Sequence, residues 1–171
     1  MKILFVLPAE TIFDEQGRVM GWKSAPAPRE KLKKLKEIVP RLKELGAQRI
    51  ICSDLDGQSG WTLARSMGLR CEEWQSTRRL NWGKLHGMAK PKAQEKLKEM
   101  EEKWKANPDI PLPNGDSLTS FRNRMAATKE RLSKGNGTTV VMLSDFEIIQ
   151  ITGVKMNFER NRVYEWANGQ T

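Results

Sequence analysis

Short apolar runs alternate along the chain with longer segments of helical pattern, and this alternation limits the folds that the chain can adopt. The runs Ile3–Val6, Arg49–Cys52 and Thr138–Leu143 are short and rich in β-branched residues, as buried strands are. Strands that alternate with helices form a mostly parallel sheet with helices on both faces. The sequence therefore predicts an α/β fold, a three-layer sandwich. Because neither a repeat nor a linker interrupts the pattern, we expect a single domain over residues 1–171.

The same patterns predict approximate bounds for each element. Strands are expected over residues 2–7, 49–52, 70–74, 138–143 and 162–166. Helices are expected over residues 29–45, 58–67, 90–106, 117–134 and 148–151. Pro40 is expected to kink or split the first helix, because proline lacks the N–H that a helix interior needs. Residues 12–28 are expected to form a loop, since glycine and proline interrupt them. Trp61 and Trp104 are expected in the core.

The charge of the chain is compatible with more than one kind of partner. With 30 basic and 21 acidic residues the net charge is +9, which favours polyanions such as nucleic acid. Lysine-rich stretches such as residues 31–37 are equally typical of the solvated face of an amphipathic helix. Both interpretations remain open at this point.

The composition also predicts where the protein resides. No apolar run approaches the ~20 residues that span a bilayer, and the first residues do not have the form of a signal peptide. The two cysteines, Cys52 and Cys71, lack the spacing of a metal site. We therefore expect a cytoplasmic protein with no membrane association and with reduced thiols, a disulfide being the alternative.

Three loops follow predicted strands at their carboxyl ends, where α/β proteins carry their functional residues. The loops are Leu7–Thr11, Ser53–Gly57 and Ser144–Asp145. Since the carboxyl ends of parallel strands lie at one edge of a sheet, we expect the functional site among these loops.

Motifs in and near these loops resemble those of one known family, in the family's order. Leu7-Pro8-Ala9-Glu10-Thr11 has the frame of Arg-His-Gly-Glu-Thr, and Ser53-Asp54-Leu55 that of Ser-Asp-Leu-x-Arg. Pro113-Asn114-Gly115-Asp116-Ser117 is similar to Pro-x-Gly-Glu-Ser, and Val140–Asp145 to a strand that ends in Ser-His-Gly. The family is the histidine phosphatase superfamily, the phosphoglycerate mutase-like proteins. The resemblance extends from residue 2 to about residue 152 and implies the same α/β sandwich.

The positions that carry the family's chemistry are the ones that have changed. The resemblance aligns the nucleophilic histidine with Pro8, the phosphate-binding arginines with Leu7 and Gly57, the proton donor with Arg79, and the second histidine with Asp145. Neither leucine nor proline can accept a phosphoryl group. The resemblance therefore implies a pseudoenzyme without cofactor, which acts by binding an unidentified small molecule or protein.

The residues left at these loops form the predicted binding site. They are Thr11, Asp14, Arg18, Arg79, Trp82 and Asp145. Arg79 is expected to pair with Asp145 or Asp14. Two carboxylates facing a dianionic phosphate in a poorly solvated site penalise its binding, so we expect phosphate to bind weakly.

Two alternative interpretations give the acidic residues a chemical role. Asp14 and Asp145, with Arg18 and Arg79, would form an atypical site for a phosphomonoester hydrolase or mutase. A metal site is the second alternative, built from acidic residues that no spacing motif connects. Its ligands would be Asp14, Asp54, Asp56 and Asp145.

Aromatic and basic residues suggest a third alternative, nucleic-acid binding. Trp82 lies between Arg78-Arg79 and Lys84, a pattern that suits the stacking of bases. Trp82 and Trp22 are otherwise expected to cap the mouth of the pocket and fill its space. The single histidine, His86, lies in the same loop, either as a titrating group at the pocket or as an ordinary loop residue.

Overall fold

The computed structural model describes residues 1–167, and a five-stranded sheet lies at their centre. The strands are β1 (Lys2–Val6), β2 (Arg49–Cys52), β3 (Cys71–Glu73), β4 (Thr138–Met142) and β5 (Tyr164–Ala167). Their order across the sheet is β3-β2-β4-β1-β5. The first four are parallel to their neighbours, and β5 runs antiparallel to β1 at the edge. The predicted mostly parallel sheet is confirmed, with every predicted strand at its expected place.

Helices connect the strands in the described part of the chain. They are α1 (Ile12–Glu15), α2 (Arg29–Leu35), α3 (Val39–Glu44), α4 (Gly57–Met67), α5 (Lys90–Ala106), α6 (Leu118–Ser133) and α7 (Asp145–Thr152). A 3₁₀ turn, Lys36–Ile38, separates α2 from α3. Pro40 lies in the first turn of α3, where its missing N–H costs no hydrogen bond, so the predicted split is confirmed. None of these helices is both long enough and apolar enough to span a membrane.

Two cores lie on opposite faces of the sheet, because successive side chains of a strand point to opposite sides. Leu4 and Val6 of β1 pack into one core, and Ile3 and Phe5 into the other. The first core is closed by side chains of α2 to α4, including Leu35, Leu42 and Leu63. The second is closed by side chains of α5 to α7, including Trp104, Phe121 and Ile148. The predicted three layers are therefore present.

Two local predictions were wrong. Residues 12–28 are not all loop, because α1 begins there: the Thr11 hydroxyl accepts a hydrogen bond from the Asp14 backbone N–H, and the Asp14 carboxylate accepts one from the Thr11 N–H. Trp61 is 46% exposed and not in the core, since it lies on the outer face of α4 and donates its indole N–H to Glu73. The prediction for Trp104 is confirmed.

The two cysteines lie side by side on neighbouring strands. Both thiols are free, and the sulfur atoms of Cys52 and Cys71 are 3.4 Å apart. α4 crosses them at Gly60, where an added Cβ would come within 2.5 Å of the Cys52 sulfur and 2.8 Å of the Cys71 sulfur. The close approach of α4 to the sheet therefore depends on a residue without a side chain.

Candidate functional site

A cavity of about 480 Å³ lies at the carboxyl ends of β1 and β4. Most residues of the predicted site line it, namely Leu7, Pro8, Thr11, Asp14, Arg18, Arg79, Trp82 and Asp145. Gly57 is the exception and lies outside the lining. Sequence reasoning missed several polar and aromatic residues that complete the wall, including Lys90, Phe146, Glu147, Phe158 and Arg160.

The first residues of the loop after β1, Leu7–Ala9, form one wall of the cavity and offer no reactive side chain. Leu7 and Ala9 are buried, and the Ala9 N–H donates to the Ser59 hydroxyl at 3.1 Å. Pro8 contributes only its carbonyl oxygen, which accepts a hydrogen bond from Arg160. This wall can therefore hold a ligand by packing but cannot form a covalent bond to phosphorus.

Asp14 is held at the cavity by hydrogen bonds and two cations. Its carboxylate lies 3.3 Å from Arg160 and 3.6 Å from Lys90. Burial opposes ionisation of this carboxyl, but the hydrogen bonds from Thr11 and the charge of Arg160 outweigh it and lower the pKa of Asp14. Asp14 is thus a paired, ionised carboxylate. The prediction that Arg79 pairs with Asp14 or Asp145 was wrong.

Arg79 pairs instead with Asp56, on the loop after β2. Asp56 sits in a 3₁₀ turn, Asp54–Asp56, that Ser53 caps, and the Ser53 hydroxyl donates to the Asp56 carboxylate at 2.7 Å. The side chains of Arg79 and Asp56 are only 14% and 6% exposed. This buried ion pair joins the two loops behind the cavity. Spacing alone does not reveal it, and Asp14 and Asp145 were the predicted partners of Arg79.

Glu147, in the first turn of α7, is the most deeply buried acid of the cavity, with 2% of its surface exposed. Its Oε1 atom accepts a hydrogen bond from the Leu80 N–H at 3.2 Å. Its Oε2 atom has no partner among the described residues, and neither has the Nε of Arg79. Burial raises the pKa of Glu147, and the charge of Arg79 and the hydrogen bond from the Leu80 N–H offset this only in part.

Asp145 lies at the cavity edge and is exposed. Its carboxylate accepts a hydrogen bond from the Phe146 N–H at 2.8 Å. Among the described residues it takes part in no ion pair, so it stands apart from the Asp14 cluster. The carboxylates of Asp14 and Asp145 therefore have different partners and different exposure.

The predicted base-stacking cluster is largely engaged in other contacts. Arg78 donates two hydrogen bonds to Asp54, at 2.8 and 2.6 Å, and Arg79 is held by Asp56. Trp22 does not line the cavity as predicted, because its indole N–H donates to the Arg79 carbonyl and its ring lies under the Arg78 guanidinium. Trp82 is the part of this cluster that faces the cavity, and nucleic-acid binding stays a prediction.

His86 has a structural contact and lies outside the cavity lining. Its Nδ1 accepts a hydrogen bond from the Gly21 N–H at 2.9 Å, and its ring packs against Phe13. Burial and the nearby charge of Lys23 lower the pKa of His86. Accepting through Nδ1 requires the neutral tautomer that is protonated on Nε2, which favours the interpretation of His86 as a loop residue.

The acids of the metal-site alternative do not converge in the part of the chain that the structure describes. Among His86, the two cysteines and the acids of residues 1–167, no group of three is placed so that it could hold an ion. Asp54 and Asp56 are bound by Arg78 and Arg79, and Asp14 is bound by Arg160 and Lys90.

Comparison with known proteins decides the family. The sequence model of the histidine phosphatase superfamily (branch 1) matches residues 4–155. The chain belongs to the histidine phosphatase superfamily. A search of curated protein sequences finds no match.

Solved structures agree with the superfamily fold. TTHB049 from Thermus thermophilus is 18% identical with a TM-score of 0.78, covering 99% of this chain and 95% of its own. A phosphoglycerate mutase from the same organism is 18% identical with a TM-score of 0.74 and the same coverage. The alpha-ribazole phosphatase from Shigella flexneri is 14% identical with a TM-score of 0.76, covering 96% of this chain and 89% of its own. At such identities the likeness shows the fold alone.

The loop after β2 brings together two positions of the motifs that resemble those of the superfamily. The motif Ser53-Asp54-Leu55 leads to Gly57, where the superfamily pattern has arginine. A Cβ at Gly57 would approach the Glu73 carboxylate to 2.8 Å, so a longer side chain fits there only if Glu73 moves. The neighbouring Asp56 pairs with Arg79, the residue that the sequence resemblance aligns with the proton donor. Asp56 and Arg79 thus form a buried charge pair beside Gly57.

Proposed function

We propose that this protein is a pseudoenzyme of the histidine phosphatase superfamily, which acts by binding a ligand at the cavity and not by phosphoryl transfer. The observation that carries the proposal is the position of its only histidine. The chain contains one histidine, His86, which lies outside the cavity lining and engages its Nδ1 with the Gly21 N–H. Because Pro8 stands where the superfamily has its nucleophilic histidine and His86 lies outside the cavity, no imidazole is in place to accept a phosphoryl group.

The cavity itself supports a binding function. It keeps a volume within the ~300–1,000 Å³ that small-molecule sites usually have. Its walls combine apolar side chains with a few charged groups, and hydrogen bonds and ion pairs fix several of these groups in place. The named structural neighbours include a mutase and a phosphatase of small molecules, which favours a small-molecule ligand.

The geometry argues against the alternative of an atypical hydrolase. Such an enzyme needs a carboxylate to act as base or nucleophile and an arginine beside it to hold the phosphoryl group. Asp145 is exposed and unpaired among the described residues, whereas Arg79 is turned to Asp56. Asp14 is already bound by Arg160 and Lys90.

Hydrolysis of a phosphomonoester panel at several pH values tests the proposal. The panel combines p-nitrophenyl phosphate with sugar and nucleoside phosphates, and the alpha-ribazole phosphatase from Shigella flexneri serves as the active control. We expect no turnover above a buffer blank. Turnover that disappears in the Asp145→Ala variant would establish the hydrolase alternative instead.

A further inference from the structure

Two free thiols face each other on one side of the sheet. The sulfur atoms of Cys52, at the end of β2, and Cys71, at the start of β3, are 3.4 Å apart. A disulfide has a sulfur–sulfur distance of about 2.05 Å, so the two atoms must approach each other by roughly 1.4 Å. α4 does not obstruct this approach, because it crosses the pair at Gly60, which has no side chain. The pair is therefore a candidate site of oxidation.

The two thiols differ in exposure and in acidity. Cys52 is buried, whereas Cys71 is half-buried on β3, which forms one edge of the described sheet. The hydrogen bond between the thiols, together with burial, raises the pKa of Cys52, and the same hydrogen bond lowers the pKa of Cys71 against the opposing effect of burial. Because the thiolate is the form that reacts with peroxides, Cys71 is the more reactive of the two.

We propose that Cys52 and Cys71 form a reversible intramolecular disulfide when a peroxide oxidises the protein. The Cys71 thiolate attacks one oxygen of hydrogen peroxide, the O–O bond breaks, and the departing hydroxide takes up the Cys71 proton to form water. The Cys52 sulfur then attacks the sulfenic sulfur of Cys71, the S–O bond breaks, and hydroxide leaves with the Cys52 proton as a second water. The two thiols together lose two electrons, and one peroxide is reduced to two molecules of water.

The register of the strands requires the backbone to move when this bond forms. Cys71 pairs with Ile50 and Cys52 pairs with Glu73, so the cysteines are diagonal neighbours, two positions apart. A strand spacing of about 4.8 Å and a rise of about 3.3 Å per residue put their Cα atoms roughly 8 Å apart. A disulfide spans at most about 6.8 Å between Cα atoms, so the strands must close by about 1 Å. β3 is the strand that shifts, because it has only three residues and pairs with β2 alone among the described strands.

The shift of β3 reaches the loops behind the cavity. The loop after Cys52 carries Asp56, and the Cys52 carbonyl accepts a hydrogen bond at 2.8 Å from the N–H of Trp74, directly after β3. The segment beyond Trp74 leads to Arg79, which pairs with Asp56 and lines the cavity. Both ends of this buried ion pair are thus attached to the strands that the disulfide draws together. Oxidation weakens the ion pair and thereby alters the wall of the cavity.

Intact-mass spectrometry of the full chain after treatment with hydrogen peroxide tests the bond. N-ethylmaleimide, added to the unfolded protein once the peroxide is removed, labels each thiol that remains. We expect two labels on the reduced protein, and none on an oxidised monomer that is lighter by two hydrogen atoms, with dithiothreitol restoring both labels. Two labels after oxidation, dimers joined by disulfides, or sulfinic acid at Cys71 as the main product would each overturn the proposal.

Single-cysteine variants test the roles of the two thiols. Cys52→Ala leaves Cys71 without its partner, so peroxide should convert Cys71 to a sulfenic acid that dimedone traps. Cys71→Ala leaves only the buried Cys52, which should lose its maleimide label at least tenfold more slowly than Cys71 does in the other variant. Far-ultraviolet circular dichroism and the unfolding midpoint establish that both variants are folded. Equal rates of oxidation in the two folded variants would refute the assignment of Cys71 as the first thiol to react.

Hydrogen exchange followed by mass spectrometry tests the connection to the cavity. In the oxidised protein we expect the amides of residues 53–56 and 74–80 to exchange at least threefold faster than in the reduced protein, and those of α5 to be unchanged. Equal exchange in the two forms would refute the movement of the loops. None of these results depends on whether the cavity hydrolyses phosphomonoesters, so this proposal and the proposed function stand or fall separately.

Discussion

Arg79→Met is expected to destabilise the protein strongly, because it leaves the Asp56 carboxylate buried without its cation. The side chain of Asp56 is 6% exposed and that of Arg79 is 14% exposed, so water cannot take the place of the guanidinium. Removing one partner of a buried ion pair costs about 3–5 kcal/mol. The hydrogen bond from Ser53 remains in the variant, which favours the lower end of that range, about 3 kcal/mol.

The neighbouring residue offers a matched control. Arg78 pairs with Asp54 in the same two loops, but their side chains are 20% and 32% exposed. The cost of Arg78→Met is therefore expected to be about 1 kcal/mol or less. Guanidinium chloride unfolding at neutral pH, with linear extrapolation, gives both free energies.

A double variant isolates the buried charge as the cause. Asp56→Asn with Arg79→Met removes both charges and keeps an oxygen that accepts from Ser53. We expect it to recover most of the stability that Arg79→Met loses, since a neutral amide needs no cation. The reasoning is refuted if Arg79→Met costs no more than Arg78→Met, or if the double variant is the least stable of the three.

Three further changes test other parts of the structure. Burial and the nearby negative charge of Asp56 raise the pKa of Glu147, and the charge of Arg79 does not cancel this. The folded protein therefore holds a proton that the unfolded chain releases, and wild-type stability falls as pH rises from the ordinary glutamate pKa to the raised one. Glu147→Gln lacks this loss, so its stability relative to wild type should increase with pH across that window; an unfolding difference that is constant with pH contradicts this. Gly60→Ala should lower the free energy of unfolding by about 1–3 kcal/mol, because the added methyl group overpacks against the two cysteine sulfurs. Adding Cys52→Ala to this variant should restore part of the lost stability. If Gly60→Ala costs the same with and without Cys52, the contact is contradicted. Thr11→Ala should lower the free energy of unfolding by about 1 kcal/mol, because it removes the cap of α1. The control Thr62→Ala, on the exposed side of α4, should be close to neutral, and chemical unfolding measures both. Equal effects of the two substitutions would count against the cap.

The architecture was predictable because its signals are local. The alternation of apolar strands with amphipathic helices reports burial residue by residue, and Pro40 and Gly68 mark helix boundaries through their own backbone chemistry. Trp61 was assigned wrongly because an aromatic residue on a helix predicts burial only on the inner face, and α4 turns Trp61 outwards.

The site was predictable in its location but not in its contacts. The loops after β1 and β4 do meet at a cavity, as parallel strands require. The path of the loop after β2 decides which aspartate pairs with Arg79, and no sequence pattern predicts that path. Glu147 left one weak signal, an acidic residue between Phe146 and Ile148 in an apolar helix. No sequence pattern indicated Arg160, because it reaches the cavity from a segment beyond the matched motifs.

The central claim is that the superfamily's phosphoryl-accepting group is absent, and intact-mass measurement tests it most directly. The protein is incubated with a reactive phosphate donor such as acetyl phosphate, and the reaction is quenched without acid. Its intact mass is then measured by mass spectrometry in parallel with that of the alpha-ribazole phosphatase from Shigella flexneri. We predict an unchanged mass for this chain under conditions that label the phosphatase. An added phosphoryl group that peptide fragmentation locates on a cavity residue, such as Asp145 or Asp14, would contradict the account.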